Sequence, residues 1–248
     1  LLLVLIIFSL ATHTTLDDFL LFAIALAVAL VPVGLTAELA ALQRAAAAPI
    51  TWVVRAAASD AGALLLLAII GIIGQAAYHV PMAITAVQIV AASIVALMLP
   101  ITGLAGERPK KFTASAPGLW LGFGLLSAAL AYANFLFFFE RRGISPVHLD
   151  SSSTLYLHAA TLSFVTIILC RWISLFFVRA EHRERFFTRH LFSNTALLVA
   201  LVCSAVLVVL CIYSPPLRQY FDTQPLNITD WLTALLAAVI FFSFHLFQ

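Results

Sequence analysis

Charge is what this chain has least of. Acidic and basic residues make up 10 % of its 248 residues and hydrophobic ones 63 %, whereas soluble globular domains sit near one-quarter and one-half. Such scarcity excludes a solvated surface of ordinary size, and a net charge of +2 gives no footprint for a nucleic-acid partner. Cysteine is scarce as well. Cys170, Cys203 and Cys211 fall inside apolar runs and share no metal-ligand spacing, so they read as small packing residues that imply neither a disulfide nor a zinc site. His13, His79, His148, His158 and His182 stand at loops or run boundaries, and no two of them have the i, i+4 spacing of a helical metal site. Carboxylates are nearly missing from the apolar runs, which removes the usual means of holding a bare cation away from water. No constellation of catalytic residues is present.

What the chain has instead is length of hydrocarbon. A membrane crossing needs about 20 apolar residues, and windows of that kind occur at about Phe19 to Ala41, Trp52 to Gln75, Met82 to Leu104, Leu119 to Phe139, Leu155 to Val178, Leu191 to Tyr213 and Trp231 to Phe247. The opening run, Leu1 to Ala11, is half a span with no basic flank and no small-residue cleavage site. It reads as a helix expected to continue upstream rather than as a signal peptide. The fold class expected is therefore an all-α integral membrane protein, a bundle of about eight transmembrane helices. One of them is interrupted at Val28-Ala29-Leu30-Val31-Pro32-Val33-Gly34-Leu35. Proline removes a backbone donor and frees carbonyls, and the following glycine lets the helix open, so a kinked, partly unwound span is expected there.

Basic residues set the orientation. One set of alternate loops carries Arg44, Arg55, Arg108, Lys110, Lys111, Arg179, Arg183, Arg185 and Arg189, and the other only Arg141, Arg142 and Arg218. Lys and Arg are retained on the cytoplasmic side, which predicts a multi-pass protein with both ends of the chain cytoplasmic and the loops around Thr14, Tyr78, Ser145 and Pro215 outside. Trp120, Trp231, Tyr78, Tyr156, Tyr213 and Tyr220 lie near predicted boundaries, where amphipathic rings sit best. Arg141 to Thr154 and Ser214 to Asp230, rich in Ser, Pro and Asp, read as ordered surface turns. The connection Gln43-Arg44-Ala45-Ala46-Ala47-Ala48-Pro49-Ile50-Thr51 has no packing or charge logic of its own. It marks an omitted domain, side chains written as alanine because they were not identified, or a bridged natural deletion.

The order of spans and several motifs resemble the membrane domain of the P-type cation ATPases, in the branch of the calcium and sodium/potassium pumps. Pro32-Val33-Gly34-Leu35 is similar to the family's fourth-helix proline-glutamate-glycine-leucine step, and Ser59-Asp60-Ala61-Gly62-Ala63 to its fifth-helix serine-asparagine-x-glycine-glutamate. Met98-Leu99-Pro100-Ile101-Thr102-Gly103-Leu104-Ala105-Gly106-Glu107-Arg108-Pro109 resembles the end of the sixth helix leading into the family's basic cytoplasmic loop. Tyr156-Leu157-His158-Ala159-Ala160-Thr161-Leu162-Ser163-Phe164, Arg179-Ala180-Glu181-His182-Arg183, Leu191-Phe192-Ser193-Asn194, Tyr213-Ser214-Pro215-Pro216-Leu217 and Pro225-Leu226-Asn227-Ile228-Thr229-Asp230-Trp231 follow the family's last helices in order and spacing. The resemblance implies helices three to ten of a pump, with residues 1–44 as the third and fourth helices, 45–51 as a short linker where catalytic domains would be inserted, and 52–248 as the fifth to tenth. It also implies ATP and Mg²⁺ as cofactors if catalytic domains exist in the full protein; this chain by itself calls for none.

The departures from that pattern set the functional expectation. Positions that carry cation-binding carboxylates in the family are Val33, Ala63, Ser93 and Leu97 here, and Arg171 stands where an amide is common in the eighth helix. Candidates for an ion path are the freed carbonyls of Val28, Ala29 and Val31 beside Pro32, together with Asp60, Gln88 and Ser93. Thr85 and Gln75 are further polar positions, and helix packing is the commoner use of such residues. Asp60 and Arg171 are the ionisable groups expected at membrane depth, where they form a buried charge pair or else lie at the interface and snorkel to water. Two functions follow from the resemblance. One is a pump-shaped scaffold, degenerate at the ion site, whose partners are the lipid bilayer and a protein partner or accessory subunit; the other is the transport domain of an active ATP-driven cation pump.

Overall fold

The computed structural model describes residues 117–147, 149–150, 152–179 and 195–246, together with scattered positions between 59 and 92. Five helices make up the continuous part: α1 (Pro117–Glu140), α2 (Thr154–Arg179), α3 (Thr195–Tyr213), α4 (Pro215–Phe221) and α5 (Ile228–Leu246). Among the described residues, Leu121–Glu140, Thr154–Ser174 and Ile228–Leu246 are long and apolar enough to cross a membrane, and Leu201–Tyr213 of α3 meets the same test only together with α4, from which it is bent by 90°, as a broken span or a re-entrant loop. The chain is an all-α, multi-pass membrane protein in contact with lipid. The sequence windows Leu119 to Phe139, Leu155 to Val178, Leu191 to Tyr213 and Trp231 to Phe247 lie over α1, α2, α3 and α5. The earlier windows lie outside the described residues or are described only in part, and the Pro32 break and the Ala45 to Ala48 run lie wholly outside.

Helix ends follow local chemistry. α1 stops in a Schellman arrangement: Ile144 N–H donates to the Phe139 carbonyl and Gly143 N–H to that of Glu140, with Gly143 at φ 65°, a conformation that glycine adopts without a Cβ penalty. α2 begins at Ser153, whose Oγ accepts the Tyr156 N–H at 3.2 Å, the usual work of a serine at a helix start. At the other end of α3 the chain meets Pro215 and Pro216, which carry no amide hydrogen, so the helix cannot run on. Ser214 is extended, and the chain turns sharply into α4.

α2 is the centre of the bundle, with 67 % of its spanning window buried against 44 % for α1 and 33 % for α5. The cause is a stripe of small residues. Ala159, Ser163, Thr166, Cys170 and Ser174 recur every three or four positions and are all buried, which lets neighbouring backbones approach in the absence of a hydrophobic driving force between helices. α1 answers with Gly124, Ser127, Ala128 and Ala131. A Cβ on Gly124 would overlap the Ser59 carbonyl and lie 2.8 Å from the Ala63 nitrogen, and one on Gly62 would lie 2.8 Å from the Leu121 carbonyl oxygen. The helical positions Ser59, Gly62 and Ala63 therefore meet α1 with the backbones in contact. α5 sorts its faces at helical spacing: Ala234, Ala237, Ala238 and Phe241 are buried, and Leu232, Leu235, Leu236, Val239, Ile240 and Phe244 are exposed to lipid.

Candidate functional site

Of the residues expected to line an ion path, Gln88 is described. It is fully buried and lies three residues after Thr85, at the start of a helical stretch. Thr85 N–H donates to Gln88 Oε1 at 3.3 Å, and Gln88 N–H to Thr85 Oγ1 at 3.2 Å. This reciprocal pair is a capping box, which satisfies two donors that a helix start leaves unpaired. The rest of the Gln88 side chain reaches away from its own helix, and Nε2 donates to the Asp222 carbonyl at 2.8 Å. Gln88 thereby ties its helix to the chain between α4 and α5.

The stretch expected as a surface turn, Ser214 to Asp230, is exposed at Pro215, Pro216, Gln219, Tyr220 and Asn227 to Thr229, and between α4 and α5 it forms a strap whose middle folds inward. Thr223 and Leu226 are buried, and Asp222 takes the left-handed conformation, φ 49°. The Thr161 hydroxyl accepts the Gln224 N–H at 3.0 Å, the Thr223 hydroxyl donates to the Cys211 carbonyl at 2.5 Å, and the Tyr213 hydroxyl donates to the Leu226 carbonyl at 2.8 Å. Polar groups taken out of water need partners, and these find theirs on α2, through Thr161, and on α3, through Cys211 and Tyr213. Burial raises the Asp222 carboxyl above its ordinary pKa.

Arg171 lies on α2, and its Nη1 donates to the Ala92 carbonyl at 2.6 Å. A positively charged side chain thus rests on the backbone of the helix that carries Gln88, one residue before Ser93. Val28, Ala29, Val31, Pro32, Asp60 and Ser93 lie outside the described residues, as do Val33 and Leu97, and with them the expected charge pair. Ala63, a further position where the family pattern has a carboxylate, is buried. Gln75 is half-buried. Among the described residues no group of three His, Cys, Asp or Glu side chains could hold a metal ion.

Among the described residues, charge is most concentrated elsewhere, at the end of the bundle where α1 stops and α2 and α5 begin. Asp230 has 0 % exposure. Arg141 Nη2 donates to its Oδ1 at 2.5 Å, and His158 Nε2 lies 2.9 Å from its Oδ2. Oδ2 also accepts the Asn227 N–H at 3.1 Å, so the carboxylate caps its own helix while it joins the other two. Arg142 lies beside this group with its guanidinium carbon 3.6 Å from the centroid of the Phe138 ring, a cation–π contact. The other neighbour of that ring is His158, with centroids 4.9 Å apart. Burial pulls the Arg142 pKa below its ordinary value; Asp230 opposes this and Arg141 adds to it.

Sequence reasoning placed Arg141, His158 and Asp230 at boundaries and in surface turns and did not join them. The partners of Asp230 stand 89 and 72 residues away. The one local signal was Asn227 three residues before Asp230, a cap spacing that puts the carboxylate in the first turn of a helix. Nothing in that spacing names the other partners.

Comparison with known proteins bears on residues 81–247, which match the family model described as "Cation transporting ATPase, C-terminus". A curated relative, the calcium-transporting ATPase of Bacillus subtilis (strain 168), is 33 % identical over 78 residues, covering 32 % of this chain and 8 % of the relative. The matched stretch is thus a small part of that protein's length.

Proposed function

The chain belongs to the family of cation-transporting ATPase C-termini, the membrane part of P-type cation pumps, and from that premise we propose that its ion site is degenerate and that it serves as a membrane scaffold or partner-binding subunit. The observation that carries this reading is the contact between Arg171 and the Ala92 carbonyl. A monovalent cation held by the same stretch of backbone, at about 5 Å from the guanidinium, would be repelled by about 3 kcal/mol at an effective dielectric constant of about 20. Val33, Ala63, Ser93 and Leu97 supply no carboxylate to offset that repulsion. Asp60 is the one acidic residue among the ion-path candidates, and a pair with Arg171 would consume its charge.

The match to a protein named calcium-transporting ATPase supports a second reading, in which an active pump uses ATP and Mg²⁺ on catalytic domains inserted between Arg44 and Trp52. Vanadate-sensitive ATP hydrolysis by the product of the complete gene, measured across Na⁺, K⁺, Ca²⁺ and Mg²⁺, separates the two. The scaffold reading expects no ion-stimulated turnover. Turnover that rises with one of these cations would sink it and restore the pump.

A further inference from the structure

We propose that α4 is an interfacial anchor, a helix that lies flat in the phospholipid headgroup layer with Tyr220 as its lipid contact, and that it neither carries α3 onward nor dips back into hydrocarbon. Leu201–Tyr213 of α3 meets α4 at 90°. Membrane spans tilt from the bilayer normal by about 20° on average, so a helix at right angles to one runs close to the membrane plane. Its depth is set by the residues at the bend.

Tyr213 ends α3 and Trp231 stands in the first turn of α5, and the indole Nε1 donates to the Tyr213 hydroxyl at 2.9 Å. The two side chains therefore share one depth. Rings with a single polar atom sit best between lipid and water. The lipid-facing stripe of α5 starts at this level too, because Ile228 is 81 % exposed and Leu232, one turn on, is exposed on the same side. Apolar surface thus reaches the bend, and α4 continues it. Within α4, Leu217 and Phe221 are half-buried and Phe221 packs on the core, whereas Pro216 and Tyr220 form a second i, i+4 pair that is exposed, Tyr220 by 75 %.

A deeper course is disfavoured by what α4 contains. Its seven residues make about two turns, too short a helix to satisfy its own terminal carbonyls, and Arg218 and Gln219 lie in the middle of it; hydrocarbon offers partners to none of these groups. A course out in water would strand Tyr220 and Ile228 at the open edge of an apolar surface. The headgroup layer suits both sides of the helix. An anchor there would also fix the level of Asp222, the residue that caps α4 and whose carbonyl holds Gln88 Nε2.

The test uses the full chain in unilamellar vesicles of phosphatidylcholine and phosphatidylglycerol. Cys203, which is exposed whereas Cys170 and Cys211 are buried, is replaced by alanine, and a nitroxide is attached in Tyr220→Cys. Val206→Cys on the lipid face of α3 and Ser145→Cys in the loop after α1, both at exposed positions, give the hydrocarbon and aqueous references. Relaxation by oxygen, which concentrates in hydrocarbon, and by a water-soluble nickel chelate reads the depth. The oxygen-to-nickel ratio at Tyr220 should fall several-fold below that at Val206 and several-fold above that at Ser145, at the value of a headgroup-labelled phosphatidylcholine. A ratio equal to that at Val206 makes α4 a re-entrant segment, one equal to that at Ser145 puts it in water, and poor access to both reagents means that protein covers it. Each of these three results overturns the anchor. Should Tyr220→Cys fail to fold, Gln219→Cys places the label on the neighbouring exposed residue of α4 and is judged by the same outcomes.

Discussion

Two regions of this bundle are held together by different means. Where α1 stops and α2 and α5 begin, three helices are joined by charge around Asp230. Deeper in the span, the helices are joined by side chains that are missing or nearly so: Gly124 against Ser59 and Ala63, and Ala159, Ser163 and Cys170 along α2. The interior does hold hydrogen bonds, among them Asn134 Nδ2 to Thr166 Oγ1 at 2.8 Å and Ser163 Oγ to the Ala131 carbonyl at 3.0 Å. Most are neutral, short reaches from one helix to its neighbour, with Arg171 Nη1 to the Ala92 carbonyl as the charged exception. The difference follows from the solvent. At the boundary water can hydrate the exposed edge of Arg141, so an ion pair forms without full desolvation of both partners, whereas the same pair in hydrocarbon would carry the full cost.

The comparison is broken most severely at Gly124. In Gly124→Ala the new Cβ would overlap the Ser59 carbonyl, and backbone cannot turn aside as a side chain can, so a loss of more than about 3 kcal/mol is expected. The control lies two residues away. Gly122 meets nothing within 4 Å of an added Cβ, and Gly122→Ala should raise the melting temperature in detergent through helix propensity, by roughly 0.5–1 kcal/mol. Equal behaviour of the two variants would remove close backbone approach as the reason for the interior packing.

The boundary end gives the next effect. Asp230→Ala leaves Arg141 and His158 without their shared anion and removes the cap on Asn227, for an expected loss of about 3 kcal/mol. Asp230→Asn keeps an acceptor for the Asn227 amide and loses the charge, so its melting temperature should fall between those of Ala and wild type. A wild-type value for Asp230→Ala would show that the three helix ends are held by apolar packing alone.

Asn134→Leu sharpens the contrast with the smallest change. The Thr166 hydroxyl keeps its own bond to the Leu162 carbonyl at 2.8 Å, so the substitution strands no buried donor there. Hydrogen bonds between membrane helices average about 0.6 kcal/mol, and thermal denaturation should show a loss of under about 1 kcal/mol. A loss as large as that of Asp230→Ala would mean that the two regions are held by the same kind of force after all.

Much of this architecture can be read without coordinates. The positions of α1, α2, α3 and α5 follow from runs of about 20 apolar residues, because hydrocarbon leaves an unpaired backbone no alternative to a helix. Gly143 and the Pro215-Pro216 pair announce the stops that they make, since φ freedom and the lost amide belong to the residue itself. The segment from Ser214 to Asp230 shows the limit. Its Ser, Pro and Asp content marks a turn correctly at Ser214, but composition cannot say that the turn then folds inward, because that depends on Thr161, Cys211 and Tyr213 offering partners from other helices.

Sequence alone thus determined the membrane class, the extents of these helices and the family, since each rests on residues close together in the chain. Tertiary structure alone decided which polar groups are spent. Asp230 looks like any loop carboxylate until α1 and α2 bring Arg141 and His158 to it, and Gln88 looks like a path-lining amide until the strap presents the Asp222 carbonyl. A polar side chain carries the same capacity for hydrogen bonds wherever it sits, and only the fold sets which partner meets it and how much water is left between them.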